Sequence, residues 1–111
     1  MSLSCVHLTR EMLNAPLELS LDGGDLTLES ARSAADEAAR AYDEDPMLIS
    51  WYEAKSGRHS PRVECCREDK PGWLAYAESR GGDLVFSINR LSYVFVYARS
   101  GRLMRAAGGQ T

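Results

Sequence analysis

Cysteine is scarce in this sequence, three residues in 111, and two of the three are adjacent at Cys65 and Cys66. An odd number at such a spacing builds no disulfide framework, so the thiols are read as reduced. Long hydrophobic runs are missing as well. The longest apolar stretches, such as Tyr93 to Ala98, fall far short of the ~18 residues that a spanning helix needs. A secretory signal requires an apolar run of about 7–15 residues, and Ser4-Cys5-Val6-His7-Leu8-Thr9-Arg10 is broken by polar residues throughout. These absences exclude a membrane span and lead us to expect a cytoplasmic protein. Neither Gly-x-x-x-x-Gly-Lys-Ser/Thr nor Gly-x-Gly-x-x-Gly occurs, which leaves phosphate-loop and dinucleotide folds without support.

What remains has the balance of an ordinary globular chain, 44% hydrophobic and 26% charged. At this length one core suffices, since about 60–70% of the unfolded surface can be buried, and residues 1–111 are read as a single domain. The net charge of −3 conceals a split. Up to Ala54 there are 3 basic and 11 acidic residues, and from Lys55 onward 10 basic and 5 acidic. Such asymmetry points to oriented association or anion binding.

The clearest element is a helix over Leu28 to Asp43. Ala31, Ala34, Ala35, Ala38, Ala41 and Tyr42 share one stripe at spacings of three and four, and Glu29, Arg32, Asp36, Glu37 and Arg40 share the other face. Thr27 is placed to cap it, and Asp45 before Pro46 ends it. Strands are predicted over Leu17 to Leu21, Met47 to Glu53, Arg62 to Arg67, Trp73 to Glu78, Leu84 to Asn89 and Tyr93 to Ala98, with Lys55 to Pro61 as a polar loop and Asp69-Lys70-Pro71-Gly72 as a type II turn. Residues 1–16 carry no assigned element, and 101–111 read as a frayed tail. The expected fold is α+β, with one alanine-rich helix on a four- to five-stranded antiparallel meander in the order β-α-β-β-β-β. Two strands are apolar on both faces: Leu84, Phe86 and Ile88 alternate with Val85, and Tyr93, Phe95 and Tyr97 with Val94 and Val96. One helix covers one face, so a second copy of the chain is expected on the other, making a homo-oligomer through the sheet.

Gly-Gly-Asp-Leu occurs at 23–26 and 81–84, as in cyclases that make cyclic dinucleotides, but the following residues and the chain length depart from that family. Glycine pairs serve tight turns, which is the preferred reading. Cys65 and Cys66, adjacent on a strand, point to opposite faces and cannot readily share one ion with His59, while Cys5 and His7 stand in a weak segment. No metal and no cofactor are expected. A nucleophilic cysteine near His59, Arg62 and Arg67 is disfavoured against simple burial. The loop Lys55-Ser56-Gly57-Arg58-His59-Ser60-Pro61-Arg62 is the most distinctive polar stretch, with three fixed cations, a histidine and two hydroxyls suited to a phosphate or carboxylate. Its alternative is a solvated hairpin loop in which Glu53 and Glu64 neutralise the arginines. Trp51, Tyr52, Trp73 and Tyr76 could stack on bases, but strand aromatics belong more often to cores, and no nucleic-acid partner is expected.

Asp45-Pro46-Met47-Leu48-Ile49-Ser50-Trp51, Pro71-Gly72-Trp73 and Gly82-Asp83-Leu84-Val85-Phe86 together resemble a small prokaryotic family known as a domain of unknown function. The resemblance spans Leu17 to Ala98 and implies no activity and no site residues. The expected role is therefore a non-catalytic, self-associating domain that binds an anionic ligand or a protein partner, with Arg58, His59 and Arg62 as ligand-binding residues. The alternative is a small enzyme using His59 with Glu53 or Glu64.

Overall fold

The computed structural model describes residues 8–13, 15–21, 26–61 and 71–99. After a 3-10 turn at Arg10–Met12, the chain runs through β1 (Leu17–Leu19), α1 (Leu28–Arg40), β2 (Pro46–Glu53), β3 (Arg58–Ser60), α2 (Gly72–Ser79), β4 (Leu84–Ile88) and β5 (Tyr93–Arg99). The fold is α+β. The predicted strand at 62–67, the start of the 69–72 turn and the 101–111 tail lie outside the described residues.

Helix α1 begins where its sequence says it should. Thr27 Oγ1 accepts from the Ser30 backbone N–H at 3.1 Å, and Ser30 Oγ accepts in return from the Thr27 N–H at 2.9 Å, a reciprocal capping box. Ala31, Ala35 and Ala39 are fully buried against the sheet, and half-buried Ala38 packs beside them. The predicted stripe is corrected at its end: the helix stops at Arg40, so Ala41 and Tyr42 fall past the last turn and are exposed, while Ala39 takes the core position. The Tyr97 hydroxyl, rising from β5, donates to Asp36 and pins the helix from its partly polar side.

The sheet has five strands in the order β1-β4-β5-β2-β3. The β4–β5 hairpin is antiparallel as expected, and β5–β2 and β2–β3 are antiparallel too, but the order is not the expected meander: β2 pairs with the non-consecutive β5 and with β3 from the predicted loop, and β1 runs parallel to β4, with Leu17 opposite Phe86 and Leu19 opposite Ile88. The sheet is thus mixed. Tight turns force antiparallel pairing only between consecutive strands. β1 is followed by α1, and this crossover lets β1 and β2 point the same way with the β4–β5 hairpin inserted between them.

The segment 73–78, predicted as a strand, is the helix α2. Trp73, Leu74 and Ala77 are buried at helical spacing and pack on Val85, Val94 and Val96. Tyr52 of β2 stacks on Trp73, with ring centroids 5.3 Å apart and planes 8° from parallel. Gly81, at φ +84°, and the Gly82 N–H donating to Ala77 O at 2.8 Å close the helix as a Schellman turn. The second Gly-Gly-Asp-Leu motif is therefore a helix terminator. The result is three layers, α1 over Phe86, Phe95 and Tyr97 on one face and α2 over the valines on the other. The face reserved above for a partner copy is covered by the chain's own helix, so the premise for self-association through it is gone. Among the described residues no helix is long and apolar enough to cross a membrane.

Candidate functional site

The predicted polar loop resolves into a turn at 54–57 and the edge strand β3. Trp51 stands opposite Ser60, Tyr52 opposite His59 and Glu53 opposite Arg58. Gly57, at φ +78°, permits the turn, and its N–H donates to Glu53 O at 2.9 Å. Side chains alternate across a strand, so Trp51, Glu53, Arg58 and Ser60 belong to one face and Tyr52 and His59 to the other.

Glu53 is the organising residue. It ends β2 and is buried, with 4% of its surface exposed. Its Oε1 accepts from Ser56 Oγ at 2.5 Å and from Arg58 Nε and Nη2 at 3.1 and 3.0 Å. The Ser56 hydroxyl, then the Arg58 guanidinium, hold its carboxyl below the usual range. Arg58 is thus clamped along one edge of its fork, while its side chain stays 64% exposed. The neutralisation weighed in the sequence is realised for this arginine.

His59, half-buried, lies with Nδ1 3.1 Å from Pro61 O. A carbonyl only accepts, so Nδ1 carries the proton and Nε2 is the nitrogen left for another partner. A pocket of about 500 Å³ wraps this edge of the sheet, lined by Trp51, Ser56, Gly57, Arg58, His59 and Ser60. Two of the three predicted ligand residues, Arg58 and His59, line it; Arg62 lies outside the described residues, as do Glu64, Cys5, His7, Cys65 and Cys66. Among the described residues no three His, Cys, Asp or Glu side chains group as metal ligands. Tyr52 and Trp73, candidates for base stacking, instead join β2 to α2, and the Tyr76 ring lies 4.7 Å from the Arg80 guanidinium.

A second pocket escaped the sequence reading. About 400 Å³ in volume, it lies between the 54–57 turn and the β4–β5 turn, lined by Leu26, Ala54, Lys55, Asn89, Ser92 and Tyr93. Tyr93 pairs with Glu53 across the strands, and burial, then the Glu53 charge, push its hydroxyl pKa up. The β4–β5 turn is unusual: Asn89, Arg90 and Leu91 take φ values of 51°, 60° and 69° in succession. Left-handed non-glycine residues each cost about 1–3 kcal/mol and persist only where their surroundings over-determine them. Only Asn89, a residue tolerant of this region, hinted at it in the sequence.

Two comparisons with known proteins and a family model bear on this geometry. A model described as a domain of unknown function (DUF5619) matches residues 14–97. An uncharacterised protein of Archaeoglobus fulgidus is 38% identical over 71 residues, covering 64% of this chain and 75% of that protein. The crystal structure of a novel protein from Archaeoglobus fulgidus is similar with a TM-score of 0.66 and 30% identity, covering 78% of this chain and 95% of that one.

Proposed function

Since the chain belongs to the DUF5619 family, a domain of unknown function that brings no activity with it, we propose from the site alone that it binds a small anionic molecule at the β2–β3 edge and performs no chemistry on it. The observation that carries this reading is the pocket that wraps the β3 edge, lined from one face by the clamped Arg58 guanidinium and Trp51 and from the other by His59, whose Nε2 has no partner among the described residues and donates to an anion in the imidazolium form. An arginine held in place loses little freedom when it meets an anion, and charge-assisted hydrogen bonds are the strong ones. The Trp51 surface suits a planar or apolar part of the same ligand, as in a nucleoside monophosphate. A catalytic reading is weaker. Glu53 and His59 occupy opposite faces of the sheet, and the Glu53 carboxylate is engaged by Ser56 and Arg58.

The test is an amide-shift titration by NMR with inorganic phosphate, a nucleoside monophosphate and the uncharged nucleoside. Resonances of residues 56–60 should move saturably with the monophosphate, less with the nucleoside, and less again as salt rises. His59→Ala and Arg58→Lys should each weaken the response about fivefold or more; Arg58→Lys keeps a cation beside Glu53 but lacks the fork. Resonances that stay still at millimolar ligand, or move equally in both variants, sink the proposal.

A further inference from the structure

We propose that the pocket between the two turns is a second ligand site, distinct from the β2–β3 edge, and that it takes a small aliphatic amino acid as its zwitterion. Its volume of about 400 Å³ lies within the range of small-molecule sites. Its walls are held from behind. The Ala54 N–H donates to Ser92 O at 2.9 Å and ties the two turns together. In the left-handed turn, the Asn89 N–H donates to Leu19 O at 2.9 Å, the Arg90 N–H to Glu18 Oε2 at 2.6 Å and the Leu91 N–H to the Ser87 hydroxyl at 3.0 Å. Asn89 also uses its side-chain amide on both backbone groups of Leu21, at 2.8 and 3.1 Å. Backbone strain locked this thoroughly is a sign of a preorganised surface.

The hydrogen-bond inventory then selects the ligand. Ser92 Oγ donates to Asn89 O at 2.9 Å, and the Tyr93 hydroxyl donates to Leu26 O at 3.3 Å. Both hydroxyl donors are committed, so these two oxygens present only lone pairs to the pocket. Two acceptors ask for a donor, and an ammonium can serve both. Lys55, exposed, also lines the pocket and asks for an anion. Leu26, Ala54 and the Tyr93 ring supply apolar lining. An ammonium, a carboxylate and a short hydrocarbon on one carbon satisfy all three demands together.

L-leucine is the probe, against 4-methylpentanoate, which lacks the ammonium, and 3-methylbutan-1-amine, which lacks the carboxylate. Leucine should shift the amides of Ala54, Asn89 and Ser92 saturably, with each truncated analogue at least about tenfold weaker. Lys55→Gln should weaken leucine about fivefold, the scale of an exposed ion pair. Ala54→Trp, a change at an exposed position, should plug the pocket and abolish the response while leaving the rest of the spectrum in place. Leucine shifts matched by 4-methylpentanoate, or unchanged in Ala54→Trp, overturn the inference, as does the absence of any shift. Phosphate-dependent movement at 56–60 reports the other site, so either proposal can fail alone.

Discussion

Glu53 is where one residue does most to shape the molecule. It closes β2, receives Ser56 and Arg58, and stands opposite Tyr93 of β5. Its carboxyl titrates below the usual carboxylate range, the first cause being the Ser56 hydrogen bond and the second Arg58. The folded form is therefore the poorer proton acceptor. Stability from this group is present above the unfolded pKa and is lost as pH falls through the lower folded one. Glu53→Gln should melt below wild type at neutral pH, and the gap should close as pH falls through and below the ordinary carboxylate range and Glu53 itself becomes protonated. Thermal melts across that range check it; a gap independent of pH would falsify the assignment of the stabilisation to the carboxylate charge. Glu18 is unchanged in the variant. Burial opposes its ionisation, yet the Arg90 N–H, the Ser87 hydroxyl and Arg10 together keep its carboxyl low, so it contributes equally to both curves.

At the scale of elements, the two helices differ in how openly the sequence declares them. α1 has a polar face and an alanine face, and that contrast repeats with the helical period. α2 has almost no contrast: Gly72, Trp73, Leu74 and Ala77 are buried and Ala75, Tyr76 and Glu78 half-buried. Without a wet face, periodicity is silent, and its aromatic residues favour a strand reading. Gly81-Gly82, past its end, was the legible signal. A Cβ on Gly82 would lie 2.7 Å from Val96 Cγ1 and 2.8 Å from Ala77 O, contacts between α2 and β5 that must give way. Gly82→Ala should lose about 1–3 kcal/mol by overpacking. Gly81→Ala has open space around it and should lose only the left-handed penalty, about 1–2 kcal/mol. Val96→Ala, costly by itself because Val96 is fully buried, should cost less in the Gly82→Ala background than in wild type, since it relieves the contact with Val96 Cγ1. Urea unfolding of the two single variants, the double variant and Gly81→Ala measures this, and strictly additive losses would contradict the Gly82–Val96 contact.

For the whole molecule, the consequence of α2 is that both sheet faces are covered within one chain. The large hydrophobic side chains exposed among the described residues are Tyr42 and Met47, at 51% and 54%. Two such side chains are well within what a monomeric protein exposes. Sedimentation equilibrium should therefore return a mass near 12.3 kDa over micromolar to near-millimolar concentrations. A mass that rises with concentration would refute the prediction.

Taken by itself, the sequence determined what depends on neighbours along the chain: the capped alanine helix, the β4–β5 hairpin, the long strand β2 and the polar character of 55–62. Hydrophobic period, caps and turn residues act over a few positions and carry their meaning without a partner. The direction of β1, the identity of α2 and the contents of both pockets were decided only in three dimensions. β1 takes its direction from a strand 69 residues away by register, Leu17 against Phe86. Arg58 is clamped because β3 folds back to set it opposite a buried carboxylate, and the same register turns His59 away from Glu53. The second pocket exists because two turns, from different hairpins, are tied by the hydrogen bond between Ala54 and Ser92. Which charges meet and which miss is a property of register and layer, and neither is written in local sequence.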